Sequence, residues 1–172
     1  MAFATVLLAF PLAKAEAQGS SRQIGSESLF DVQTARKLIK QDVVQKFGPK
    51  ASNFRYDARM IRAAKIAEDR ARKYSQRRCW RYVKTALLEA DVIESYPKTA
   101  YAKQAGDELT RQHGFRRLPI SDPFKAPIGS VLVYGGRGPG HVEIRTKVGF
   151  VSDFESPTPS KRPLIGVFVK PG

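Results

Sequence analysis

Cysteine is nearly absent from this chain: Cys79 is the single one among 172 residues. A disulfide framework is therefore excluded, and so is a zinc site built mainly from thiolates. Histidine is almost as scarce, with only His113 and His141. A metal site would need carboxylates to complete its ligand set, and no metal or other cofactor is expected. Acidic residues are also few: 16 Asp and Glu face 30 Lys and Arg, a formal net charge of +14. Such an excess calls for a polyanionic partner, whether nucleic acid, anionic lipid or an anionic wall polymer. Nucleic acid is not expected, because zinc spacing, an RNP-like aromatic pattern and an evident recognition helix are all missing.

No apolar run is long enough to span a bilayer, so stable membrane insertion is not expected. The run at 1–12 is followed by Ala15-Glu16-Ala17, the small-x-small arrangement that a signal peptidase reads. It predicts a signal peptide at 1–17, a mature start at Gln18 and a periplasmic or secreted protein, although no Lys or Arg precedes the apolar run. Export changes the meaning of a lone cysteine. In an oxidising compartment an unpaired thiol is either reactive or a route to intermolecular disulfides.

The length suits one domain with a proper core. Residues 18–54 read as an N-terminal extension with a helix over 28–47, ended by Gly48-Pro49. Residues 55–76 predict a second helix with one basic face. Arg77-Arg78-Cys79-Trp80-Arg81-Tyr82-Val83 opens a third, in which Cys79, Val83, Ala86 and Ala90 share one stripe. The thiol then sits at a helix start, where the partial positive charge of the terminus and two arginines favour an anion. A further helix over 98–113 ends at Gly114, which gives His113 a structural role in the last turn. From Arg117 the period changes, with strands expected at 128–134, 141–146, 150–155 and 164–170 in an antiparallel meander. The fold class is α+β: helices first, then a sheet of four or more antiparallel strands.

Hairpin register decides which acid meets His141. A loop over 146–148 would place His141 opposite Asp153 and Glu143 opposite Val151, whereas a loop over 146–150 would place Glu155 opposite His141. Either way a thiol on a helix start, an imidazole on a strand and a carboxylate on the next strand converge. Those are the types that thiol hydrolysis needs: a nucleophile, a proton carrier and a group that fixes the imidazole's tautomer.

Cys79-Trp80-Arg81-Tyr82-Val83, Ala126-Pro127-Ile128-Gly129-Ser130-Val131-Leu132-Val133-Tyr134 and Gly140-His141-Val142-Glu143-Ile144 together resemble the ordered landmarks of the NlpC/P60 and CHAP superfamily. These are papain-like cysteine peptidases and amidases that cut peptidoglycan. The resemblance covers 75–170 and implies a catalytic domain over 55–172 with a papain-like core. Carried over, Cys79 would be the nucleophile, His141 the general base and Asp153 the orienting acid, with Glu155 the alternative. The backbone N–H of Cys79 would serve the oxyanion hole. Ser130 stands where that family usually has Asp. The implied partner is peptidoglycan or another anionic wall polymer, and the rival reading is a non-catalytic cationic wall-binding protein.

Overall fold

The computed structural model describes residues 30–172. The expected signal segment 1–17 and the mature start at Gln18 lie outside the described residues. Four α-helices come first: α1 Val32–Phe47, α2 Arg59–Arg70, α3 Cys79–Glu89 and α4 Ala105–His113. Six strands follow α4: β1 Arg116–Leu118, β2 Val131–Tyr134, β3 His141–Arg145, β4 Phe150–Val151, β5 Glu155–Ser156 and β6 Leu164–Val169. The class is α+β, as expected. The sheet order is β1-β6-β2-β3-β4-β5, and every ladder is antiparallel. The expected meander holds from β2 to β5, but β6 then crosses back to pair with β2.

Local chemistry sets the helix bounds. Asp31 caps α1 by accepting the N–H groups of Gln33 and Thr34, which puts the start later than expected at Ser28. Asp57 accepts the N–H of Arg59 at 2.9 Å and opens α2. That helix stops well short of residue 76, because Arg72 forms a parallel bridge to Phe154 and its N–H bonds to the Asp153 carbonyl at 2.9 Å. α4 closes on Gly114 in the left-handed conformation. The preceding stretch is a separate 3₁₀ turn, Ala102–Gln104. β1 was invisible in the sequence: three residues, two of them Arg, form a strand only by pairing with β6.

Both faces of the sheet are buried. Val131, Val133, Val142, Ile144 and Val151 join the main core with Met60, Ala63, Val83, Ala86 and Leu87 from α2 and α3. Leu132, Tyr134, Phe150 and Val167 turn the other way, into a smaller cluster with Ala126, Leu118 and Ile120. This is the period-2 alternation of strands carried through paired neighbours. α1 belongs to the main core too, through Ala35, Ile39 and Val43.

α1 also governs the turn that leads into β2. Asp42, buried, pairs with Lys46 at 2.9 Å and accepts the N–H of Ile128 at 2.9 Å. Lys46 Nζ in turn donates to the Ala126 carbonyl at 2.6 Å, and the Tyr56 hydroxyl donates to the Ile128 carbonyl. Gly129 in this turn is held at φ +88°, and a Cβ there would lie 2.8 Å from the Met60 carbonyl oxygen. Ser130 is fully buried and donates to the Pro127 carbonyl at 2.6 Å, closing the turn. No helix among the described residues is long and apolar enough to cross a membrane.

Removing one partner of a buried ion pair strands the other and frees the Ile128 N–H. Asp42→Ala should therefore lower stability by about 3 kcal/mol in urea unfolding at neutral pH. A loss under about 0.5 kcal/mol, the usual range of an exposed position, would mean that α1 does not pin the turn.

Candidate active site

Cys79 is the first residue of α3 and is half-buried against the main core. The helix is fixed in rotation by its neighbour: Trp80 is buried and its Nε1–H donates to Thr99 Oγ1 at 3.1 Å. Lys84, one turn on, donates to the Thr99 carbonyl at 2.6 Å with its ammonium 5.0 Å from the Trp80 ring. Glu108 on α4 accepts the N–H groups of Lys98 and Thr99 and the Thr99 hydroxyl, which ties the loop behind α3 to α4. Among the described residues, no side chain caps the start of α3. Its first amides remain available to a developing anion beside the sulfur.

His141 opens β3. The β3–β4 ladder consists of Ile144↔Val151 and Arg145↔Phe150, so the strand has no β4 partner at His141 or Glu143. At this unpaired end the Cys79 side chain comes against the imidazole, closely enough to raise its pKa. His141 Nε2 lies 3.2 Å from Glu143 Oε2 on the same strand. Glu143 is itself held: the Tyr134 hydroxyl donates to Oε1 at 2.6 Å, and the Ser160 N–H donates to the same oxygen at 3.3 Å. Burial and the carboxylate together push the Tyr134 phenol far up, so it stays a donor.

Burial alone would lower the His141 pKa. Interactions with Cys79 and Glu143 outweigh it and hold the ring up at about 9. The imidazole is therefore a proton-bearing cation through neutral pH, flanked by two groups that favour the charge. Gly140 brings it there. At φ +79°, a Cβ on Gly140 would lie 2.5 Å from the Tyr134 carbonyl oxygen and 2.7 Å from Lys103 Cβ. The Lys103 N–H, in the 3₁₀ turn, also donates to the Pro139 carbonyl at 2.9 Å.

The hairpin register that set Asp153 or Glu155 opposite His141 is corrected. The β3–β4 loop spans 146–149, one residue longer than the register that set Asp153 opposite His141 and one shorter than that for Glu155. A one-residue slip turns every side chain over. Phe154 instead lies beside the imidazole, with ring centroids 6.5 Å apart. Asp153 is fully buried and accepts from the Gln76 and Arg78 N–H groups, ahead of Cys79. Glu155 is exposed on β5. Sequence reasoning passed over Glu143, although its position two residues from His141 on one strand face was a usable signal. His113 is buried, and burial pushes its pKa down, so it is a neutral ring in the last turn of α4 and not a cation at the helix end.

Two solved structures of a type VI effector–immunity complex, Tae3–Tai3 from Ralstonia pickettii, match this chain. The native complex matches at 26% identity and a TM-score of 0.53, over 64% of this chain and 98% of that one. The selenomethionine form matches at 26% identity and a TM-score of 0.50, over 62% and 98%. No family model matches, and no curated protein does. These findings correct the assignment to the NlpC/P60 and CHAP superfamily: the match is to Tae3–Tai3 instead. The landmarks behind that assignment are ones that any thiol on a helix start facing a strand imidazole requires, so they do not discriminate between families.

The His141 pKa fixes a sign for stability. The folded chain holds this proton more tightly than the unfolded chain, whose imidazole titrates near 6.5. The contribution is complete below that value and is lost as pH rises through about 9. Chemical denaturation from pH 6 to 10 should show stability declining across this window, and His141→Gln should flatten the decline. An equal slope in the variant would rule out His141 as its source.

Proposed function

We propose that this protein is a thiol hydrolase that cleaves an amide bond in peptidoglycan, with Cys79 as nucleophile, His141 as proton carrier and Glu143 as the acid that orients it. The contact between the Cys79 side chain and His141 is the single observation that carries the reading. The likeness to an effector held in an effector–immunity complex supports it, as does the +14 charge, which suits an anionic wall polymer. The same likeness supports a protein partner for this chain. The apolar run and Ala15-Glu16-Ala17 support action in the periplasm or outside the cell.

The chemistry follows from the groups present. The Cys79 sulfur adds to the amide carbonyl carbon, and the oxygen takes up the negative charge beside the N–H of Cys79 at the start of α3. His141 gives its proton to the amine nitrogen as the carbon–nitrogen bond breaks, leaving an acyl thioester on the sulfur. Water then loses a proton to His141 and adds to the thioester carbonyl, the carbon–sulfur bond breaks, and a carboxylate leaves. Glu143 keeps the imidazole in the orientation that serves both steps, and Tyr134 keeps Glu143 in place.

The wild type should release soluble muropeptides from purified sacculi, and mass spectrometry should identify the cut amide. Cys79→Ala should abolish release while still sedimenting with the sacculi. Glu143→Gln should lower kcat by about 100-fold, because an amide offers the ring a donor where it needs an acceptor. Sedimentation without any release by the wild type would leave a cationic wall-binding protein and exclude the hydrolase.

A further inference from the structure

The residue before the nucleophile's neighbour has an unusual backbone. Arg77 has φ +56°, in the left-handed region that a side chain with a Cβ rarely occupies. It is flanked by two N–H groups that point to one carboxylate oxygen. Gln76 N–H donates to Asp153 Oδ2 at 2.6 Å, and Arg78 N–H donates to the same atom at 3.0 Å. Ser75 Oγ donates to it as well at 3.3 Å and accepts the Arg77 N–H at 3.2 Å. Asp153 Oδ1 takes the Ser152 hydroxyl at 3.2 Å.

Asp153 is fully buried, and no lysine or arginine side chain pairs with it among the described residues. A buried carboxylate without a cation must be satisfied by donors, and here the turn 75–78 supplies them. The dependence runs both ways. The N–H groups on either side of a left-handed residue can converge on one anion, as in a backbone nest, so the carboxylate favours the conformation that Arg77 would otherwise leave. Asp153 reaches this turn because the chain leaves the β3–β4 ladder after Val151 and runs beside α2, where Arg72 bridges to Phe154.

We propose that Asp153 is a positioning residue for the nucleophile: by locking Arg77 in the left-handed conformation, it sets the direction in which the chain enters α3, and hence where the Cys79 thiol and N–H point. The role is distinct from that of Glu143, which acts on the imidazole. Its kinetic consequence rests on the hydrolase reading; its structural consequence does not.

The test exploits the single cysteine, whose alkylation by iodoacetamide reports its pairing with His141 whether or not the protein is a hydrolase. Asp153→Ala should slow alkylation at pH 6 by about tenfold and lower kcat by about 100-fold with little change in KM, as a small misplacement of a reacting group does. Asp153→Asn, which keeps an oxygen acceptor for the two amides, should stay within about fivefold of the wild type on both measures. Arg77→Gly accepts a positive φ without strain, so adding it to Asp153→Ala should recover most of the lost alkylation rate. A wild-type alkylation rate in Asp153→Ala, or a loss that Arg77→Gly leaves unchanged in a folded protein, would overturn the proposal. If Asp153→Ala does not fold, Ser75→Ala at the exposed end of the same turn decides it: a roughly threefold slowing supports the lock, and an unchanged rate refutes it. Absence of muropeptide release by the wild type would overturn the hydrolase reading alone, since the alkylation results stand apart from it.

Discussion

The contact on which the rest of the site depends is that between a thiol at the start of a helix and an imidazole at the start of a strand. Everything nearby makes sense as a device for keeping those two groups together. A half-buried imidazolium is costly by itself, since burial opposes the charge, yet His141 is held at about 9 by Cys79 on one element and Glu143 on another. Remove either partner and the balance shifts toward the neutral ring. The contact is thus an electrostatic equilibrium among three side chains as well as a matter of steric approach.

The supports are backbone constraints more than side-chain contacts. Gly140 lets the hairpin come within contact of the 3₁₀ turn, where any Cβ would collide with the Tyr134 carbonyl. Gly129 does the same for the turn that starts β2, against Met60. Asp42 and Tyr56 then fasten that turn to the helical layer through Ile128. Each device is paid for in conformational freedom, and each fixes an element that carries Cys79, His141 or the strand between them.

Periodicity revealed the elements that bury a stripe. Val83, Ala86 and Ala90 marked the face of α3, and the alternation of β2 and β3 marked two strands. The left-handed Gly114 after α4 followed from local chemistry that a sequence displays, whereas the Asp31 cap moved the start of α1 past the expected Ser28. Other features depended on partners that no local pattern names. Arg116 and Arg117 became a strand because β6 has a free edge, and α2 stopped at Arg70 because Phe154 and Asp153 draw the next residues away. Cys79 and His141 could be singled out by scarcity. The acid could not, because its choice was tied to a hairpin register, and the loop length that sets the register is decided by Thr146 and Gly149 bonding to one another.

That dependence separates the two carboxylates. Glu143 shares a strand with His141, two residues away, so strand geometry alone puts both on one face whatever the loop after Arg145 does. Asp153 lies beyond the loop, and its meeting with Gln76 and Arg78 requires the register that Ile144↔Val151 sets. A slip of one residue in the hairpin would leave the imidazole and its acid intact while releasing the turn before Cys79. The proton carrier is therefore oriented locally and the nucleophile at long range, and it is the long-range half that ties the reactivity of the thiol to the completion of the sheet.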